Sequence, residues 1–484
     1  MPDALALATT FARKAKAAGG RALLVGGAVR NGVFGHGTDD VDMEVHGLAA
    51  EEVEKLARQC GTVHERGKAF GILAIVDASG AEIEVALPRR DAKISAGHTG
   101  FDVHVDPHMG LPDAAQRRDF TMNAVYKDPL TGEVFDSVGG VTDAEKRLLR
   151  VVDERKFAED PLRLLRGAQL AARFQLRVAD PGTLAALRGT ASGLAELSKE
   201  RVWQEWRKLL LAPAPSYGLT LLRNAAVLAR TYPELHALIG VEQNPEWHPE
   251  GDVWTHTMLV VDVCAEVCTR ERVSEDDRVT LVAAALCHDL GKPAVSRMEG
   301  GVIRAKGHEE AGIQPTAAFL ERIGMPDHMR PSIAPIVANH LWATVQYDAE
   351  LRGRKVTDGA FRRLSRRLAP ATIGQLLIVA EADKRGRGDE LYAQPFRAAT
   401  WALGRSGALG VAVKPAEHVV RGQDLVDAGY APGRSLGEII AAADELHDAH
   451  ETPRDAILST IHSMAPDGEA AATALRALAH DGRA

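Results

Sequence analysis

The stretch GGAVRNGVFGHGTDDVDMEV (residues 26–45) carries an acidic triplet, Asp39, Asp40 and Asp42. Asp40 and Asp42 stand two positions apart, and on a strand such residues point to one face. Two carboxylates on one face can share two Mg²⁺ ions. Just upstream, Gly26 and Gly27 allow backbone N–H groups to approach a phosphate closely, and Arg30 adds a cation one helical turn on. Metal and phosphate side by side suit nucleotidyl transfer. Metal ions activate the attacking hydroxyl and stabilise the departing pyrophosphate, while fixed donors hold the triphosphate. Either motif alone reads as a glycine turn or a solvated acidic strand. Together, in strand–turn–helix–strand order, they point to a site.

A second constellation occupies the C-terminal half: His256 in WTHTM, His288 and Asp289 in CHDLGK, His308 in GHEEAG, His340 in ANH and Asp383 in EADKRGR. Isolated histidines are usually surface or core residues. The adjacent His288–Asp289 pair differs, because it follows the apolar run LVAAAL and so ends a buried helix. Imidazoles and carboxylates together suit a divalent transition metal or Mg²⁺. Such a metal activates water near neutral pH for attack on a phosphoester, and Lys292 stands close enough in sequence to hold the phosphate.

The elements that must position these residues are of two kinds. Residues 4–18 predict an amphipathic helix ending at Gly19–Gly20. RALLV predicts a strand running into the glycine turn, and VDMEVHG, FGILAIVD and AEIEVALPRR predict further strands by their alternation and turn signals. Beyond Arg150 the strand signals stop. EDPLRLLRGAQLAARF predicts a helix, with Pro161 where a first turn tolerates it and Leu162, Leu165 and Leu170 on one face. The expected fold is an α/β head, a mixed sheet with helices, followed by all-α neck, histidine-bearing and tail domains. The expected boundaries are 1–150 for the head, 151–240 for a helical neck and body, 241–395 for the histidine-bearing unit after the Pro-rich connector EQNPEWHPEGD, and 396–484 for a helical tail.

The chain has 484 residues, which accommodates about three domains. Its formal net charge of −8 excludes a uniformly basic nucleic-acid glove. Local basic runs such as RGRK (352–355) and RRLSRR (362–367) leave a phosphate-backbone role open beside that of a solvated helix face. Four cysteines, Cys60, Cys264, Cys268 and Cys287, are too few for a disulfide framework and favour a reducing cytoplasm. Cys264 and Cys268 read as buried thiols of an apolar helix. No signal pattern opens the chain, and no run of about 18 apolar residues predicts a membrane span.

The pieces GGAVR, DDVD, RRDFTMNA and EDPLRLLR, in this order and spacing, resemble the bacterial CCA-adding enzymes, tRNA nucleotidyltransferases related to bacterial poly(A) polymerases. The resemblance implies catalytic roles for Asp40 and Asp42 and triphosphate contacts from Gly27 and Arg30. It implies nucleotide binding by Arg117, Asn123 and Arg166, and base reading by Asp160 and Arg163. The last pair makes physical sense: three residues apart on a helix they share a face. An acceptor beside a fork of donors addresses the amino group and ring nitrogen that cytosine and adenine present alike. Alone, the pair would read as an ordinary ion pair. The expected substrates are CTP, ATP and the 3′ end of tRNA, with Mg²⁺ in the head. Asn31 departs from the family's usual pattern, in which Asp follows GGAVR. Glu82 and Glu84 share a strand face, and either is a candidate third carboxylate.

The order His, His-Asp, His, His, Asp resembles the HD phosphohydrolase superfamily. The resemblance implies His256, His288, Asp289 and Asp383 as core metal ligands, with His308 and His340 as the extra ligands of two-metal members. HD domains fused to CCA-adding enzymes carry 2′,3′-cyclic phosphodiesterase, 2′-nucleotidase and phosphatase activities, with Mg²⁺, Mn²⁺, Ni²⁺ or Co²⁺ as the metals to expect. Two alternatives stay open at this point. One is an enzyme adding only CC, only A, or a poly(A) tail. The other is a regulatory HD nucleotide hydrolase with a nucleotide-sensing head.

Overall fold

The structure, a computed structural model, describes residues 3–37, 41–66, 72–93 and 101–481. Asp39 and Asp40 therefore lie outside the described residues, and only Asp42 of the acidic triplet can be placed. The chain forms two compact units, residues 1–236 with 322–324, and residues 237–321 with 325–484.

The first unit begins with the helix Ala4–Ala17, close to the predicted span. Asp3 caps it by accepting from the Ala6 N–H at 3.0 Å, and Leu7, Ala8, Phe11 and Ala15 form its buried stripe. That stripe packs on a seven-stranded sheet with strand order Thr62–Arg66, Ile72–Val76, Glu82–Ala86, Asp42–His46, Arg21–Val25, Tyr126–Lys127, Val134–Phe135. The strands Asp42–His46 and Glu82–Ala86 run parallel, and the other pairs are antiparallel. Val45, Ile75 and Ile83 join Phe11 in the core on one face, while Leu23, Val25 and Tyr126 build a smaller core on the other. Phe11 is wholly buried; truncation to Ala would cost about 3–5 kcal/mol.

Helices follow the sheet. The helix Leu162–Phe174 starts after Pro161, buries Leu162, Leu165 and Leu170, and stops where Gln175 turns left-handed at φ 53°. Two-residue strands Leu148–Leu149 and Arg177–Val178 pair in parallel beside it.

The second unit is helical, as expected, with one addition. Arg297–Glu299 and Val302–Arg304 form an antiparallel hairpin around Gly300 and Gly301, whose φ angles are +59° and +79°. Such a turn needs positive φ at both positions, which glycine allows without strain. The tail helices Arg434–His450, Arg454–Met464 and Gly468–His480 share a separate core that includes Ile439, Leu446, Ile457, Ile461 and Leu475. Among the described residues no helix is long and apolar enough to cross a membrane.

Candidate functional sites

In the first unit a cavity of about 660 Å³ is lined by Asp42, Glu84, Arg117, Asp160, Arg163 and Arg166, with further residues that include Glu44, Arg118, Asp119 and Arg201. Six residues named from the sequence, Glu84 among them as a candidate third carboxylate, thus meet around one space. Asp42 opens its strand and is paired in register with Glu84 of the neighbouring parallel strand. Glu84 also accepts from Arg66 Nη1 at 2.8 Å, and Glu82 lies 2.7 Å from the same guanidinium. Only Glu84 of the two lines the cavity.

Gly26 lies at the turn between strand and helix with φ +64°. A Cβ there would stand 3.4 Å from Asp42 Oδ2 and 3.9 Å from Arg118 Nη1, so the absent side chain leaves open the space beside the carboxylate. Gly27 begins the helix Gly27–Val33, and Arg30 follows on it, 8% exposed. Arg30 donates from Nη1 to Asn123 Oδ1 at 2.6 Å and from Nη2 to Asn31 Oδ1 at 3.0 Å. Burial lowers its pKa to about 10, helped by the charge of Arg173. Asn123 donates to Asp119 Oδ1 at 2.9 Å, and Arg166 donates to Asp119 Oδ2 at 3.0 Å. Burial pushes the Asp119 carboxyl up, but Arg166 and Asn123 hold it below the usual carboxylate range. A chain of hydrogen bonds therefore runs Asn31, Arg30, Asn123, Asp119, Arg166. Asn31 stands at its end as an acceptor.

Sequence reasoning missed Glu44. Its side chain is 1% exposed and accepts from Arg117, from Arg118 Nη2 at 3.0 Å and from the Tyr126 hydroxyl at 3.0 Å. Burial pushes this carboxyl up, yet Arg118, His46 and Arg117 together hold it well below the ordinary range. Glu44 thus fixes two arginines at the cavity. It lies two residues beyond Asp42 on the same strand, so alternation could have found it. Arg201, 41 positions from Asp160, approaches both carboxylate oxygens of Asp160 at 3.4 Å and gave no local signal. Asp160 Oδ1 also accepts from the Leu162 N–H at 3.1 Å. Arg163 donates to the backbone carbonyls of Lys156 and Arg117, at 3.1 and 3.0 Å.

In the second unit every expected ligand is buried, and all converge. His256, His288 and Asp383 form one group, and Asp289, His308 and His340 another. His288 and His340 occupy the C-caps of the helices Glu275–Cys287 and Ile333–Asn339. Each donates from Nδ1 to a carbonyl three residues back, Ala285 and Val337, at 2.7 Å. His308 does the same to Ala305 at 2.8 Å. A carbonyl only accepts, so Nδ1 carries a proton in all three, and the neutral tautomer keeps its lone pair on Nε2. His256 Nδ1 lies 2.7 Å from Glu250 Oε1.

The Nε2 atoms face one another, 3.3 Å apart for His256 and His288 and 3.4 Å for His308 and His340. Asp289 divides its carboxylate between the groups, with Oδ2 3.1 Å from His288 Nε2 and Oδ1 3.3 Å from His308 Nε2. Both oxygens are buried and accept no hydrogen bond of ordinary geometry, although the Lys292 ammonium stands 2.7 Å from Oδ2. Asp383 Oδ1 lies 3.1 Å from His256 Nε2, and Arg387 donates to both Asp383 oxygens at 2.9–3.0 Å. Burial, reinforced by His288 and His308, lowers the His340 pKa to about 3, so its imidazole stays neutral. The neutral His340 beside the buried Asp289 carboxylate, with His256, His288, His308 and Asp383 around them, is a donor set that would hold divalent cations.

Lys292 also donates to Gln243 Oε1 at 2.7 Å and lines the cavity of about 440 Å³ that opens on these ligands. Glu250 and Arg387 were missed as partners of His256 and Asp383, although both stand in motifs the sequence singled out. The run RRLSRR is only partly a basic face, because Arg366 pairs with Asp448 and with Asp444 at 3.6 Å. Cys264 and Cys268 are buried free thiols.

Residues 22–150 match the family described as Poly A polymerase head domain, 179–239 match the probable RNA and SrmB-binding site of polymerase A, and 253–385 match the HD domain. The chain is 37% identical over 434 residues to the multifunctional CCA protein of Xanthomonas campestris pv. campestris, covering 87% of this chain and 96% of that one. The namesake of Stenotrophomonas maltophilia is 38% identical over 369 residues, 75% and 86% of the two chains. Among solved structures, the Bacillus stearothermophilus CCA-adding enzyme in complex with CTP superposes with a TM-score of 0.61 at 22% identity, covering 96% of this chain and 98% of that one. The Thermotoga maritima CCA-adding enzyme complexed with tRNA gives 0.54 at 18% identity, covering 95% and 94%.

Proposed function

The chain belongs to the multifunctional CCA protein family, and from that membership we propose that it adds C, C and A from CTP and ATP to the 3′ end of tRNA without a nucleic-acid template. The supporting observation is the single cavity that holds Asp42 and Glu84 together with Asp160 and Arg163.

In this reading residues 1–150 are the catalytic head, 151–240 choose the base and contact RNA, 241–395 are a phosphohydrolase, and 396–484 are a helical tail. Asp40 and Asp42 would hold Mg²⁺, which when bound supplies Lewis acidity to the attacking 3′ hydroxyl and the triphosphate. Gly26 keeps side-chain bulk away from the Asp42 carboxylate, and Gly27 offers backbone to the phosphates. Arg30, Asn123 and Arg166 form a braced donor wall, so little reorganisation is needed when the triphosphate arrives. Glu44 holds Arg117 for the same purpose. Asp160 offers acceptors to the exocyclic amino group of cytosine or adenine, and Arg163 offers donors to the adjacent ring nitrogen. Guanine and uracil present the reverse pattern and leave both groups unpaired. The free cysteines and the RNA substrate accord with a cytoplasmic site of action.

For the second unit we propose a divalent-metal phosphohydrolase acting on 2′,3′-cyclic, 2′-phosphorylated or monoester ends. His256, His288 and Asp383 would hold one ion and Asp289, His308 and His340 the other, from among Mg²⁺, Mn²⁺, Ni²⁺ and Co²⁺; bound there they supply Lewis acidity to the phosphoester. Lys292 and Arg387 orient Asp289 and Asp383 and add positive charge where a phosphate would enter.

A tRNA lacking its last three nucleotides tests the first reading. With CTP alone the product should lengthen by two, and with CTP and ATP together by three. A ladder of many A residues from ATP alone would overturn it in favour of poly(A) synthesis. Hydrolysis of a 2′,3′-cyclic nucleotide under each of the four metals tests the second reading, and inertness under all four would overturn it.

A further inference from the structure

The cavity of the second unit is larger than a phosphate requires, and its rim carries an aromatic ring that the metal chemistry does not use. Trp247 is 53% exposed, the one exposed tryptophan among the described residues, and it lines this cavity with Asp289, Lys292, Arg304, Lys306 and Arg387. Exposed tryptophan leaves a large apolar face in water, and at the mouth of a cavity whose rim also carries cations that face has a use.

The ring is held by a braced turn. The Asn244 carbonyl accepts from the Trp247 N–H at 3.1 Å and the His248 N–H at 2.9 Å, while Asn244 Oδ1 accepts from the Glu246 N–H at 3.0 Å. Next to it, Gln243 donates to the Gly251 carbonyl at 3.3 Å and accepts from Lys292, whose ammonium also stands 2.7 Å from Asp289. The turn that carries Trp247 is thereby tied to the carboxylate that bridges the two ligand groups.

A second element reaches the same rim. The hairpin Arg297–Glu299 and Val302–Arg304 leads through Lys306 and Gly307 directly to His308. Arg304 and Lys306 are exposed cations on this path, and both line the cavity. Lys306 donates to Glu299 at 2.8 Å within the hairpin, which leaves its other N–H donors for a ligand.

We propose that Trp247 is a stacking platform for a nucleobase and that Arg304 and Lys306 contact the next phosphate along the strand, so that the preferred substrate is the end of an RNA rather than a small phosphomonoester. This rests on the phosphohydrolase reading above and names the substrate class of that site. A ligand that offers an aromatic base on one side of the reacting phosphoester and a further anion on the other matches the two rim elements. Base–aromatic stacking tolerates any sequence, because every base has a π-face.

Steady-state kinetics on the metal-loaded full chain test this with three substrates: glycerol 2-phosphate, adenosine 2′,3′-cyclic phosphate, and a short RNA ending in a 2′,3′-cyclic phosphate. Trp247→Ala should raise KM for the two base-bearing substrates by about tenfold more than for glycerol 2-phosphate. Arg304→Ala with Lys306→Ala should raise KM for the RNA alone and flatten its dependence on salt. Equal changes on all three substrates, or none, would overturn the proposal. If the wild-type chain hydrolyses none of them, the phosphohydrolase reading fails, and the platform is then read by tryptophan fluorescence. Adenosine 2′-monophosphate should quench the wild-type emission more than that of Trp247→Phe; equal quenching would overturn the platform as well.

Discussion

Asp42 and Glu84 are register partners across two parallel strands, and both face one cavity. A carboxylate so placed would be positioned to share the ions that the proposed reading gives to Asp42. Glu84→Gln keeps the shape and removes the charge. We predict a loss of nucleotide addition of about 100-fold in kcat with unchanged far-UV circular dichroism, because Glu84 is not a core residue. Addition at the wild-type rate would reduce Glu84 to a partner of Arg66.

Asp160→Ala and Arg163→Ala should damage base choice more than triphosphate binding. Arg201 would lose its carboxylate partner in the first variant, and the Lys156 and Arg117 carbonyls their donor in the second. The expected readout is incorporation of UMP or GMP in single-nucleotide assays. Equal loss for CTP, ATP, GTP and UTP would mean that the pair is structural.

Asn31 accepts twice from Arg30, at 3.0 and 3.3 Å, and an aspartate could accept the same bonds. Asn31→Asp is therefore expected to add nucleotides within about threefold of wild type, a difference under 1 kcal/mol. Asn31→Leu strands the buried guanidinium and should raise KM for CTP and ATP by roughly tenfold, since an unmet buried donor costs about 1–3 kcal/mol. Equal kinetics for Asn31→Leu and wild type would mean that Arg30 does not serve the triphosphate.

Much of this site was legible because its signals are local. DDVD, CHDLGK and EDPLRLLR place their groups by strand or helix spacing, and the structure brings Asp42, Asp160, Arg163 and Arg166 to one cavity and Asp289 and Lys292 to another. The unread parts arise from tertiary contact. Arg201 meets Asp160 only because the helix Lys199–Leu210 packs beside Leu162–Phe174. Glu250 meets His256 across a turn. Glu44 was readable by alternation but stands inside a strand, where a buried acid looks unfavourable until its arginines are known. The hairpin at 297–304 carried a Gly–Gly turn signal that the surrounding helical pattern outweighed.

His288→Ala with Asp289→Ala should abolish metal-dependent hydrolysis in the second unit and leave CCA addition intact. It should also abolish thermal stabilisation by Mn²⁺ or Ni²⁺, which at a hundredfold excess over Kd is about 2.7 kcal/mol. A double variant that still gains stability from these metals would place the ions elsewhere. A folded double variant that loses nucleotide addition would show that the two activities are coupled.

The most direct measurement is sequencing of the 3′ ends formed when the chain extends a tRNA lacking CCA with all four nucleoside triphosphates present. The account predicts CCA and then arrest for the wild type, and no extension by Asp42→Ala that retains the phosphohydrolase activity. Poly(A) tails, incorporation of U or G by the wild type, or normal extension by Asp42→Ala would contradict it.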